Sequence, residues 1–287
     1  VLKMTTFQVR FWGVRGSIAT PGPETARVGG NTSCVEVECG DQRLVLDAGT
    51  GLRALGDELA RRGDARVSLL LSHLHWDHIQ GLPFFMPLYL PSSELDVYGP
   101  AWGEGGLGGA LGRQMSAPGF PVDLADVPAR LSLRELRHGS RFTIGDAAIT
   151  SARLNHPGGV LGYRIEFGGR SLVYATDTEH YDCVDPALAT LARGADLLIY
   201  DAQYTPEEYR GVTGPAKVGW GHSTFEAGIA LARHADVKTL VLFHHDPRRD
   251  DEALFALERR AKSLDSRVVA AREGAVIELE GGALKAA

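Results

Sequence analysis

The sequence predicts an α/β fold in which sheets are covered by helices. Two patterns carry that expectation. The order strand, helix, buried strand occurs near the start of the chain and recurs in its second half. Histidines and aspartates also fall just beyond the ends of continuous apolar runs, where open α/β sheets bind ligands.

Taken in order, residues 7–11 read as a first strand. Residues 34–39 follow, where Val35-Glu36-Val37-Glu38 alternates with the two-residue period of a half-buried strand. A third strand covers 43–47. Residues 52–62 predict a helix with Leu52, Leu55 and Leu59 on one face. The unbroken apolar run at 67–71 suits a strand buried on both faces. In the second half, strands are expected at 171–175, 196–200 and 239–243. Helices are expected at 186–193, 224–234 and 250–265, with a final strand at 268–279. The intervening stretch, 100–139, is rich in Gly and Pro, with six glycines in 103–112. Long segments of this kind in compact domains tend to be functional, so it reads as an insertion or lid with some helix. Nothing marks a second domain, and residues 1–287 read as one.

Composition narrows the possible roles. A chain of 287 residues with 44% hydrophobic residues can bury a large core without covalent staples. The formal net charge of -6 argues against a large nucleic-acid partner, which Lys/Arg fields normally bind. A small anionic substrate stays open, because bound cations can neutralise it. Cys34, Cys39 and Cys183 are too few for a disulfide framework. Residues 1–6 lack the pattern of a leader, and no apolar stretch approaches membrane-spanning length. The expectation is a soluble, cytoplasmic protein.

The chemistry concentrates at Ser72-His73-Leu74-His75-Trp76-Asp77-His78. Residues two apart in extended chain project to one side, so His73 and His75 can grip one metal ion. Asp77 and His78 follow the turn and can grip a second. Imidazole and carboxylate suit zinc, manganese or iron. Further candidates sit at matching places: His156 after a strand-like stretch, Asp177 after the strand at 171–175, and His244 at the end of 239–243. Adjacent strand residues face opposite ways, so only one of His244 and His245 should reach the cluster. Asp47, in Leu46-Asp47-Ala48-Gly49, is placed to support a ligand imidazole from behind. His138 and His234 read as surface residues, and His180 as a loop residue near Asp177. Trp12, Trp102, Phe120 and Tyr204 read as packing.

The pattern His-x-His-x-Asp-His, a single later His, an Asp after a strand and a final His after a strand resembles the metallo-β-lactamase superfamily. The likeness runs from Phe11 to His244. It implies an αβ/βα four-layer sandwich: two facing mixed sheets, helices outside, metals at one edge. It assigns His73, His75 and His156 to one ion, Asp77, His78 and His244 to the other, and Asp177 to both. It also makes His244, not His245, the ligand.

Two further stretches narrow the likeness. Gly219-Trp220-Gly221-His222-Ser223-Thr224, preceded by Leu198-Ile199-Tyr200-Asp201-Ala202, is similar to the phosphodiesterase branch that includes transfer-RNA 3′-processing nucleases. That similarity implies catalytic roles for Asp77 and for an Asp201–His222 pair that protonates the leaving oxygen. The opening Phe11-Trp12-Gly13-Val14-Arg15-Gly16-Ser17 and Gly29-Gly30-Asn31-Thr32-Ser33-Cys34 resembles bacterial cyclic-nucleotide phosphodiesterases. Arg15, Asn31 and Thr32 there either touch substrate or hold the turn. The expected cofactors are two divalent ions, Zn2+ or Mn2+. The expected substrate is a small phosphodiester, most of all a cyclic nucleotide, and relatives imply a homodimer. The processing nucleases carry a basic arm for transfer RNA, whereas the long insertion here is glycine-rich and near neutral. Transfer-RNA processing, and lactone or thioester hydrolysis on the same fold, are the rival readings.

Overall fold

The computed structural model describes residues 6–63 and 66–279. Residues 1–5, part of the stretch considered above as a leader, lie outside that range. Strand β1 (Phe7–Gly13) is followed by β2 (Cys34–Cys39), β3 (Gln42–Leu46), helix α1 (Gly51–Arg62) and β4 (Arg66–Leu70). Next come the short helix α2 (Trp76–Ile79), β5 (Glu94–Pro100), α3 (Gly106–Gln114) and β6 (Arg130–Leu136). The second half holds β7 (Arg141–Ile144), β8 (Ala147–Leu154), β9 (Val160–Phe167), β10 (Arg170–Ala175), α4 (Pro186–Ala192) and β11 (Leu197–Asp201). It closes with α5 (Pro206–Tyr209), α6 (Phe225–His234), β12 (Thr239–Phe243), α7 (Asp251–Leu264), β13 (Val268–Ala270) and β14 (Val276–Glu278).

The strands form two mixed sheets of seven, in the orders β14-β1-β2-β3-β4-β5-β6 and β13-β12-β11-β10-β9-β8-β7. Each sheet has an antiparallel half and a parallel half. In the first, β3, β4, β5 and β6 run parallel; in the second, β10, β11, β12 and β13 do. Between the sheets lies one core, including Phe11, Val37, Leu46 and Leu70 from the first and Ile165, Tyr174, Ile199 and Phe243 from the second. A second cluster packs α4, α6 and α7 on the outer face of one sheet. A third packs α1 and α3 on the outer face of the other. This is the four-layer sandwich expected. Leu69 faces the helices and Leu70 the opposite sheet, which explains the unbroken apolar run of β4.

One expectation changes. The final strand at 268–279 is two strands: β13 belongs to the second sheet and β14 to the first. The chain crosses between them through a turn with Gly274 in the left-handed region. Residues 100–139, expected to be an insertion or lid, hold α3 and the edge strand β6. Leu107, Leu111 and Met115 are fully buried there, and β6 pairs with β5 along its length.

Candidate metal centre

Every element end that carries a polar residue of the motif points to one edge of the sandwich. The chain leaves β4 through Ser72 and turns into α2, presenting His73, His75, Asp77 and His78. The ends of β8, β10 and β12 bring in His156, Asp177 and His244. Asp47, Asp177 and His244 all have positive φ, at 62°, 50° and 57°. That conformation is uncommon outside glycine and marks a functional constraint when observed in such a cluster.

The candidate ligand atoms fall into two main groups, and His222 shares two further ones, with His156 and Asp177 and with Asp201 and His244. His73, His75 and His156 converge in one; Asp77, His78, Asp177 and His244 in the other. His156 Nε2 lies 3.1 Å from His75 Nδ1, and Asp177 Oδ2 lies 3.7 Å from His73 Nε2 and 3.8 Å from His156 Nε2. In the second group, Asp177 Oδ1 lies 3.1 Å from both His78 Nε2 and His244 Nε2. Asp77 Oδ2 lies 3.2 and 3.3 Å from the same two nitrogens. The two oxygens of Asp177 therefore face different groups. The second group is buried throughout, whereas in the first His73 is buried, His156 half-buried and His75 exposed; side chains of this type, pointed at one another, suit divalent cations.

The remaining ring nitrogens are occupied from behind, as metal-binding histidines require. His78 Nδ1 donates to Asp47 Oδ2 at 2.8 Å, His156 Nδ1 to Gly221 O at 2.8 Å, and His244 Nδ1 to Gln203 Oε1 at 2.9 Å. Asp47 also accepts from Ser72 N, Ser72 Oγ and Tyr174 OH. Each arrangement leaves Nε2 facing the cluster. His73 Nε2 is buried without a hydrogen-bond partner, which is costly unless a cation takes its lone pair. Burial lowers the pKa of His73, His75 and His156 below the usual imidazole value, so their lone pairs stay free for a metal. Burial would raise Asp77 and Asp177, but neighbouring imidazoles outweigh it and hold both well below the carboxylate range.

His222 stands beside this cluster. Its Nδ1 is 2.8 Å from Asp201 Oδ2 and 3.9 Å from Asp177 Oδ2. Burial alone would lower its pKa; the charge and hydrogen bond of Asp201 more than offset this and raise it to about 9.

Other residues are placed differently. His245 turns away, with Nε2 on Ala271 O at 3.0 Å. The guanidinium of Arg15 is buried and donates to the carbonyls of Gly29, Asp246 and Arg249. Asn31 bonds Glu273 and Thr50, and Thr32 exchanges two hydrogen bonds with Thr50. Those three side chains hold the loops behind Asp77, whose carboxylate accepts from Ser17 N at 2.7 Å. His138 and His234 are exposed. Trp12, Trp102 and Phe120 pack against the cores and Tyr204 is buried. Trp76, 80% exposed, adjoins His75 and Asp77 in sequence, and Trp220, 56% exposed, lies two residues before His222. Glu179, Gln203 and Tyr174 were not anticipated as contributors.

Comparison with known proteins agrees with this geometry. Residues 42–245 match the family model of the beta-lactamase superfamily domain. Ribonuclease Z of Archaeoglobus fulgidus is 26% identical, over 92% of this chain and 95% of its own. An uncharacterised protein of Mycobacterium leprae is 35% identical, over 71% of this chain and 67% of its own. The metallo-beta-lactamase fold protein YhfI of Bacillus subtilis superposes with a TM-score of 0.71 at 21% identity, over 96% of this chain and 99% of that one. On its sequence, its two-sheet sandwich and its His/Asp cluster at the sheet edge, the chain belongs to the beta-lactamase superfamily.

Proposed function

We propose that this superfamily hydrolase cleaves a small phosphodiester, with a cyclic nucleotide as the favoured class, using two divalent ions, Zn2+ or Mn2+. His73, His75 and His156 would hold one ion and Asp77, His78 and His244 the other, with Asp177 facing both groups. Ions so held would supply positive charge for phosphate oxygens and a water of lowered pKa. The chain's own residues do the rest. Asp47, Gln203 and Gly221 aim the imidazoles. Asp201 keeps a proton on His222 Nδ1 and orients the ring, so that Nε2 delivers the proton a departing ribose oxygen needs.

The observation that carries the reading is the Asp201–His222 pair, set 2.8 Å apart at the rim of the cluster. A thioester expels a thiolate and makes little use of such a donor, whereas a ribose alkoxide needs one. A small substrate is favoured because Trp76 and Trp220 offer exposed faces for a base, with Lys217 Nζ 3.9 Å from the Trp220 ring centre. In 100–139, Arg113, Arg130, Arg134 and Arg137 are balanced by Glu104, Asp123, Asp126 and Glu135, which gives RNA no basic platform. The near full-length likeness to an archaeal ribonuclease Z supports a second reading, RNA 3′-processing, and precursor transfer RNA belongs in the same assay.

Replacing His222 tests the reading. His222→Ala should keep both ions and lose about a hundred- to ten-thousand-fold in rate on a ribose-leaving diester. Hydrolysis of a diester with a nitrophenol leaving group should suffer far less. Asp201→Asn should show the same selectivity in milder form. Equal losses on both substrates with the ions retained would rule out the proton-donor role, and loss of one ion would make His222 a ligand instead.

A further inference from the structure

We propose that Glu179 is a positioning residue that sets the 219–222 loop and, through it, both His156 and His222. The inference rests on the phosphodiesterase reading of His222.

Glu179 lies two residues beyond Asp177 and is fully buried. A carboxylate in that position is costly unless its oxygens are hydrogen-bonded. Glu179 Oε1 accepts from Tyr209 OH at 2.8 Å and from Gly219 N at 2.7 Å, and Oε2 accepts from Gly221 N at 2.8 Å. Two of the three donors are therefore backbone amides of the loop that leads into His222. The backbone of Glu179 is tied as well: its N donates to Asn155 O at 2.8 Å, next to His156 in sequence.

The loop needs such an anchor. Gly221 has φ +84°, and a Cβ there would lie 2.3 Å from His156 Nδ1. The backbone thus presses against the imidazole, and Gly221 O accepts the His156 Nδ1 proton at 2.8 Å. The next residue is His222. One carboxylate accordingly fixes the carbonyl that sets the tautomer of a metal-facing histidine and the starting point of the general acid. No motif match flagged Glu179; its place in Thr176-Asp177-Thr178-Glu179 is its only mark in the sequence.

Glu179→Gln keeps the shape but exchanges one acceptor oxygen for an NH2 group that faces another N–H. Partners of this kind typically contribute 10–100-fold in metal affinity or activity. Three measurements on wild type, Glu179→Gln and His222→Ala test the proposal: hydrolysis of a cyclic nucleotide, hydrolysis of a nitrophenyl diester, and Zn2+ affinity by chelator competition. Glu179→Gln should lose about 10–100-fold on the cyclic nucleotide, distinctly less on the nitrophenyl diester, and bind one of two Zn2+ ions about 10–100-fold more weakly. If that variant does not fold, Tyr209→Phe removes one donor to Glu179 and should shift the same ratios in the same directions, less far. Leaving-group selectivity in His222→Ala with none in the Glu179 or Tyr209 variant overturns the role of Glu179 alone. Equal losses on both diesters, or unchanged Zn2+ affinity, mark Glu179 as merely structural and overturn it too. An unselective His222→Ala removes the phosphodiesterase reading and this inference with it.

Discussion

Asp47 receives four hydrogen bonds at one carboxylate: two from Ser72, one from His78 Nδ1 and one from Tyr174 OH. It does so from a left-handed backbone, φ 62°, a conformation that asparagine also tolerates. Asp47→Asn therefore isolates the charge from the backbone geometry. It should weaken divalent-ion affinity by about 10–100-fold, measured by chelator competition; unchanged affinity would reduce Asp47 to a packing role. The His73–His78 run was legible in the sequence because local spacing places its candidate ligand atoms, and Asp47 because it ends an apolar strand before a glycine-rich turn. Gln203, Tyr174 and Glu179 were not. The partner of Tyr174 OH is 127 residues away in sequence and that of Gln203 Oε1 is 41 away, so only the topology brings each pair together. Arg15 shows the reverse limit. A glycine-flanked arginine reads equally as a phosphate contact or a loop brace, and its burial places it among the carbonyls of three loop residues.

At the scale of elements, the buried parallel strands were legible because both faces are apolar, and their helices because one face is. The strands β5 to β7 and β9 went unread. In β6 most side chains are exposed or half-buried, as suits an edge strand, so no alternation survives. Helix α3 has four glycines in its sequence, GLGGALGRQ, each about 1 kcal/mol less favourable than Ala. Tertiary burial of Leu107 and Leu111 overrides that propensity. Leu111→Ala should consequently cost about 2–5 kcal/mol of stability, read by denaturant unfolding, with metal content unchanged in the folded protein. A near-neutral result would mark 100–139 as a detachable lid. The exposed tryptophans behave oppositely. Trp220→Ala and Trp76→Ala should change stability by no more than about 0.5 kcal/mol. If they stack a base, at about 1–3 kcal/mol each, KM for a cyclic nucleotide should rise about 5–150-fold while a substrate without a base is spared. Equal KM effects on both substrates would remove the stacking role.

On the scale of the whole molecule, the proposed ligands divide between the sheets. His73, His75, Asp77 and His78 follow β4 of the first sheet, whereas His156, Asp177 and His244 follow β8, β10 and β12 of the second. The two groups proposed to hold the ions each take members from both sides. Bound ions would accordingly hold the open edge of the sandwich together, across an interface otherwise made by the apolar core between the sheets. A ligand that binds only the folded state adds RT ln(1 + [L]/Kd), about 2.7 kcal/mol at a hundredfold excess over Kd. For a chain of this size that is roughly 5 °C in Tm per ion. Elemental analysis of protein prepared with excess Zn2+ or Mn2+ should approach two ions per chain. Stripping them with a chelator should lower Tm, and restoring the free ion should raise it again with the logarithm of its concentration. Asp177→Asn, which alters the one carboxylate shared by both groups, should flatten that dependence more than Asp47→Asn does, because it removes a charge facing both ions at once. A Tm that ignores the chelator, or a ceiling of one ion with Asp77 and His244 dispensable, would mean that the two sheets meet at this edge without a paired metal site between them.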